Sequence, residues 1–279
     1  MYLFNVVIPK ELSIEQLIKE SPPVGIKNFS AEKLKYLVST ILQIPSRNPK
    51  LKIKDGFTPV NAKLLRKHVK DYNAYLSYLV KTGVLETDNC FIVGEKSRYY
   101  RFTEKYTGID FKEEQITDYK LYNNFYGISR KSVTTSTAQE NYPNLTNWFN
   151  DGLNIDSTVA YEYNQLQYEY KKDNPETWDE ELVDNKRVKL DPVNQFKNAY
   201  FGITELKNKH YYYSVDTSGN RFHSNLTNLK SEHRNALTYE GEQLCAIDLK
   251  NSQPYNSIIF FPVRCLRACI ATYHYTRLL

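Results

Sequence analysis

Several things are missing from this sequence. It has no run of 18 apolar residues, so no membrane-spanning helix is expected. It has no signal-peptide or transit-peptide pattern. With the apolar span also absent, a soluble, cytoplasmic chain with reduced thiols and no membrane partner is expected. There is no Walker loop, no dinucleotide fingerprint, no G-x-S-x-G and no H-E-x-x-H, so none of the sites that those motifs mark is expected. Methionine occurs once. The five histidines are scattered and do not suggest a metalloenzyme. Of the four cysteines, Cys90 and Cys245 fall in apolar, strand-like runs and are expected in the core. Cys265 and Cys269 form a C-x3-C pair without two further ligands close by, although His274 is near. From Pro262 to Leu279 there is not one Asp or Glu, an abrupt change from the rest of the chain. That change suggests a shifted reading frame or a truncated gene.

What is present is an ordinary apolar share, 24 Tyr, 13 Phe and a formal charge of +5 over 279 residues. The length allows two domains or one large one. The mild positive charge permits nucleic-acid binding without requiring it. Leu3 to Ile8 is expected to form a strand, and Ser13 to start a short helix. Ser30 is the N-cap of a run with Leu34, Leu37, Val38, Ile41 and Leu42 on one face, a helix expected to end before Pro45. From Asn61 to Thr82, apolar residues at Leu65, Val69, Tyr72, Leu76 and Leu79 predict one amphipathic helix, stopped by Gly83. Strands at Val84 to Glu86, Cys90 to Val93 and Arg98 to Phe102 should follow, with a basic loop between the last two.

Two helices and a hairpin with a basic tip resemble the winged-helix modules of replication initiators and phage regulators. Between Asn61 and Lys105 there are nine Lys or Arg against five Asp or Glu. Lys63, Arg66, Lys67 and Lys70 fall off the apolar stripe, and Lys96, Arg98 and Arg101 belong to the wing. Such residues neutralise phosphates. The same pattern also fits a solvated helix face or a protein-interaction module.

From Thr107 to Asn141 the signals weaken, and the Ser/Thr-rich stretch from Ser129 to Gln139 is expected to be a linker. Helices are expected from Asn144 to Asn154, Asp156 to Lys172 and Pro192 to Leu206, with an acidic, turn-rich piece from Asp173 to Asp191. His210 to Val215 should be a strand. A second apolar run, Leu244 to Ile247, ends in Asp248 and a polar turn, then Pro254 opens a helix. A carboxylate at the end of a buried strand suits Mg²⁺, or caps the next helix.

Ser218-Gly219, Arg221, Ser224, Asn225-Leu226-Thr227-Asn228 and Arg234, followed by the strand ending in Asp248, resemble the segment that leads into the catalytic strand of family A DNA polymerases and single-subunit phage-type RNA polymerases. The resemblance implies a partial palm with Asp248 as a catalytic Mg²⁺ ligand. Arg221, His223, Asn228, Arg234, Ser252 and Gln253 would contact nucleotide, template or primer. The expected partners are DNA, an RNA primer or template, and nucleoside triphosphates. Ser252 comes four residues after the Asp instead of two, and only 31 residues follow Asp248. The second catalytic carboxylate that the resemblance implies is therefore not expected within these residues.

The expected fold class is α+β. A winged helix-turn-helix domain with an N-terminal extension (residues 1–128) would be followed by a linker (129–143). A mixed helical domain with the partial polymerase-like palm (144–279) completes it, with 262–279 as an out-of-frame tail. The expected function is that of a nucleic-acid-binding replication protein from a phage or mobile element. It would be part of a Mg²⁺-dependent, template-directed nucleotidyltransferase acting in a bacterial host cell. The alternative is a non-catalytic winged-helix replication initiator or regulator.

Overall fold

The computed structural model describes residues 4–47, 53, 55–90, 92, 97–130, 133–183, 186–216 and 218–244, with side chains except at 47, 125–130, 133–136, 183 and 186. The chain is α+β, with small antiparallel sheets between helices. Strand β1 (Phe4–Pro9) opens it, followed by α1 (Ile14–Glu20) and α2 (Ala31–Arg47). The Ser13 hydroxyl caps α1 by accepting from the Gln16 amide. In α2 the apolar stripe points inward, with Leu34, Leu37, Val38, Ile41 and Leu42 all buried. Pro45 does not end α2 but lies inside its last turn. The helix loses one backbone hydrogen bond there, and burial of the two turns before it outweighs that loss.

Next come β2 (Thr58–Pro59), α3 (Ala62–His68), α4 (Tyr72–Lys81), β3 (Leu85–Thr87) and β4 (Tyr99–Phe102). The single helix expected from Asn61 to Thr82 is two. Asn61 caps α3 by accepting from the Leu64 amide at 3.1 Å. Val69 then leaves the helix with φ −131° and ψ 103°, and α4 starts after Asp71. Leu65, Val69, Tyr72, Leu76 and Leu79 are nevertheless all buried in one core. Helix α4 ends as the glycine predicts. Gly83 adopts φ 71°, its amide donates to the Val80 carbonyl, and the Val84 amide reaches back to Leu79. This double bond pattern at a left-handed glycine is a Schellman ending. Strand β4 is central, pairing with β2 on one side and β3 on the other, both antiparallel.

Strand β5 (Phe111–Ile116) follows a 3-10 turn and pairs antiparallel with β1, Phe4 opposite Ile116. Its middle is charged, and each carboxylate has cationic or amide partners. Glu113 accepts from Lys207 at 2.5 Å, Asn208 at 2.9 Å and Asn5 at 3.2 Å. Glu114 accepts from Lys35 at 2.8 Å. Burial alone would raise the Glu113 carboxyl, but the bonds from Lys207 and Asn208 outweigh it and the net shift is down.

Helices α5 (Tyr119–Arg130), α6 (Val133–Asn141) and α7 (Pro143–Thr146) occupy the stretch where the sequence suggested a linker. The expected boundary at 129–143 falls inside one compact unit running from Met1 to Gln243. Strand β6 (Leu153–Ile155) leads into α8 (Ser157–Asp173), whose N-cap Asp156 accepts from the Thr158 and Val159 amides. A second 3-10 turn and the hairpin β7 (Glu180–Val183) and β8 (Lys186–Lys189) fill the acidic, turn-rich piece. Then come α9 (Pro192–Lys207), β9 (Tyr213–Val215), β10 (Phe222–Ser224), α10 (Asn225–Asn228), α11 (Ser231–Arg234), β11 (Leu237–Tyr239) and β12 (Glu242–Gln243).

The largest core gathers β1, α1, α2, α3, α4, β3 and β4, with Ile8, Leu37, Tyr75 and Leu79 fully buried. Each such side chain contributes about 1.5–3 kcal/mol of burial. A smaller core joins α8 and α9 to β11 through Ala160, Ile203, Leu206 and Leu237. Val7, Leu42 and Phe201 tie α9 to β1 and α2.

Candidate functional site

Helix α3 and the turn after it carry the basic residues singled out in the sequence. Lys63, Arg66, Lys67 and Lys70 are all exposed, while Leu65 between them is buried. None of the four joins an ion pair among the described residues. Helix α4 turns its aromatic and leucine face inward and leaves Asn73, Ala74, Ser77 and Lys81 exposed. Sequence reasoning assigned those four no role, because they were read as part of one longer helix.

Of the wing residues, Arg101 has other partners. Arg101 donates to Glu86 at 2.7 Å and to the Asp55 carbonyl at 3.0 Å, and its guanidinium lies 4.5 Å from the centre of the Phe57 ring. Arg98 is half-buried. Lys96 lies outside the described residues. Cys90 is exposed and not in the core. Polar Asp88 and Asn89 draw the chain to the surface just before it.

The segment that resembles the polymerase motif folds into the β9–β10 hairpin and two short helices. Asp216 holds the hairpin turn by accepting from the Gly219 amide at 2.6 Å and lying 3.1 Å from His223 Nε2. The Gly219 bond, then the one to His223, pulls the Asp216 carboxyl down to about 2. Because the folded value is depressed, this contact stabilises the hairpin above the ordinary carboxyl value of 3.8. The contribution is lost as pH falls through about 2. The Asp216 carboxyl carbon followed by NMR is expected to titrate near 2, and His223→Ala to move it upward. A midpoint at the ordinary value in the unsubstituted chain would count against this turn.

Arg221 is exposed near the hairpin tip. Ser224 and Thr227 form a capping box at the start of α10. Asn228 donates to the Tyr212 hydroxyl. Arg234 donates to the Leu229 carbonyl at 3.0 Å and the Thr227 carbonyl at 3.3 Å, so it closes the end of α10. Local hydrogen bonds therefore engage Ser224, Thr227, Asn228 and Arg234. Asp248, Ser252 and Gln253 lie outside the described residues, as do Cys245, Cys265 and Cys269. Among the described residues no group of three or more His, Cys, Asp or Glu is placed to hold a metal ion. No described helix is long and apolar enough to cross a membrane.

A cavity of about 260 Å³ opens between α8, α9 and α11. Sequence reasoning passed over its residues. Lys171, in the last turn of α8, is buried and donates to Asp179 Oδ2 at 2.6 Å and Gln195 Oε1 at 2.7 Å. Lys230 donates to the same two oxygens, each at 3.1 Å. Burial would raise the Asp179 carboxyl, but the two lysine bonds outweigh it and lower it. His233 is 3% exposed, edge-on to Tyr163 at 5.5 Å, and neither ring nitrogen has a hydrogen-bond partner. Burial, then the nearby Lys230 charge, pushes its pKa down and keeps the ring neutral. A buried polar atom without a partner costs about 1–3 kcal/mol. A lysine beside a second lysine at a helix end gives no sign in sequence that it turns inward. No family model, no curated protein and no solved structure matches this chain.

Proposed function

We propose that residues 31–102 form a winged-helix module and that the protein is a duplex-DNA-binding factor. The observation that carries this reading is one of order. Helix α2, strand β2, helices α3 and α4, and strands β3 and β4 follow one another, and the sheet runs β2-β4-β3. In a helix-turn-helix the second helix enters the major groove and the first crosses the backbone. Helix α4 holds the second position here, and α3 the first.

The side chains divide accordingly. Exposed Lys63, Arg66, Lys67 and Lys70 suit phosphate oxygens, which fix register without reading sequence. Exposed Asn73 and Ser77 suit base edges, where Asn pairs bidentately with adenine. Lys81 adds a fifth cation at the end of α4. Arg101, paired with Glu86 and stacked on Phe57, belongs to the support of the hairpin.

The test is a salt titration of binding to a short duplex, followed by fluorescence anisotropy. Each neutralised phosphate contributes about −0.9 to the slope of log K against log salt, so four or five contacts predict roughly −3.6 to −4.5 between roughly 50 and 200 mM salt. Absence of binding, or a slope near zero, overturns the reading.

A further inference from the structure

We propose that the cavity between α8, α9 and α11 binds a nucleoside 5′-phosphate. It shares no residue with α3 or α4, so it stands apart from the DNA-binding reading.

The first step is a count of donors. An ammonium carries three N–H donors and no acceptor. Lys171 and Lys230 each use two of them, and both use the same pair of oxygens, Asp179 Oδ2 and Gln195 Oε1. The two ammonium groups are therefore held side by side, each with one donor still to satisfy. The Asp179 carboxylate bridges both of them. Glu232 also lines the cavity, and its carboxylate, held mainly by its own backbone amide, also feels the Lys230 charge, so the spare N–H donors and not a net positive charge mark the site. Two adjacent ammonium groups bridged through the same two oxygens, each with a spare donor, favour an incoming group with several acceptor oxygens, and a phosphate monoester supplies them.

The second step is the rest of the wall. Tyr163, Tyr168 and Phe196 line the same cavity, which gives a planar ring aromatic surface to stack on. His233 lines it too, buried and without a partner at either nitrogen. A neutral imidazole there holds one donor and one acceptor, which a base or a phosphate oxygen would satisfy. A space of about 260 Å³ fits one small ligand and not a duplex. Anion on one side and ring on the other describe a nucleotide, free or as the 5′ end of a strand.

The experiment is calorimetric titration of the full chain with deoxyadenosine monophosphate, deoxyadenosine and inorganic phosphate. Saturable one-to-one binding of the monophosphate is expected, with each of the other two weaker by about tenfold or more, as loss of charge-assisted bonds or of stacking requires. Lys230→Met, at a half-exposed position, should weaken the monophosphate by about tenfold or more while the chain still melts cooperatively. If that variant melts early, Gln195→Glu serves instead, because it adds a second carboxylate between the two lysines with little change in shape. A 5′-phosphorylated oligothymidylate that competes where its 5′-hydroxyl counterpart does not identifies a strand end. No competition by either identifies the free nucleotide. The proposal falls if the monophosphate does not bind saturably, if the nucleoside or inorganic phosphate binds equally well, if the 5′-hydroxyl strand competes equally, or if a well-folded variant binds unchanged.

Discussion

Replacing Lys63, Arg66, Lys67 and Lys70 together with Ala is expected to weaken duplex-DNA binding by about 10²–10³-fold at roughly 0.1 M salt. Each phosphate contact releases condensed counterions, and four contacts together approach that loss. The salt slope should flatten by about 3.6, because each of the four lost contacts removes roughly 0.9 from it. The fold should hardly notice. All four side chains are exposed and outside any ion pair among the described residues, and surface changes of this kind usually stay within about 0.5 kcal/mol each. Arg101→Ala is the contrast. It breaks the Glu86 pair and the stacking on Phe57, so it should lower the melting temperature and leave the salt slope alone. If the fourfold variant binds as tightly as the original, α3 is not the interface.

The division of labour between α3 and α4 bears on what that variant can lose. Contacts to phosphates set affinity, and contacts to base edges set choice of sequence. Helix α4 exposes Asn73, Ala74, Ser77 and Lys81, only one of them charged. The fourfold change should therefore weaken binding to all duplexes alike. A loss confined to one sequence would point to base contacts from α3.

How far the sequence told this in advance depended on where each residue found its partners. The α2 stripe was legible because Leu34, Leu37, Val38, Ile41 and Leu42 repeat at helical spacing and are all buried. The spacing from Leu65 to Leu79 was equally clear, yet it hid the break at Val69. Val69 and Tyr72 bury into the same core whether or not the chain is helical between them, so burial periodicity cannot report the turn. Strand β5 was illegible for the opposite reason. Lys112-Glu113-Glu114 looks like an exposed charge run, and the groups that hold Glu113 and Glu114 in place, Lys207 and Lys35, lie 94 and 79 residues away in sequence. Helix α6 is Ser/Thr-rich, and local propensity favours a loop there. The cavity lysines failed the test of pattern altogether. Lys171 is followed by Lys172, and only the fold turns the first toward Gln195 and leaves the second in solvent.

The motif from Ser218 to Arg234 presents the sharpest choice between fold and contact, and Asn225 decides it. This side chain is 5% exposed. Its Oδ1 accepts from the Tyr212 amide at 2.6 Å, and its Nδ2 donates to the His210 carbonyl at 3.2 Å and to Glu205 Oε2 at 3.4 Å. One amide thus joins the end of α9, the chain entering β9 and the start of α10. Asn225→Leu keeps the volume and removes every one of these bonds. It leaves the Tyr212 amide and the His210 carbonyl without their side-chain partner, each at about 1–3 kcal/mol. The expected loss is about 2–5 kcal/mol, which lowers the melting temperature by roughly 5–15 °C for a unit of this size. Asn225→Asp keeps the acceptor for Tyr212, loses both donated bonds and sets a charge beside Glu205, so it should also destabilise, and less so as the pH falls. Melting followed by circular dichroism, together with the DNA titration, separates the two roles. A lower melting point with unchanged affinity for the folded chain assigns Asn225 to the fold. An unchanged melting point with weaker binding would instead place this asparagine on a nucleic-acid surface.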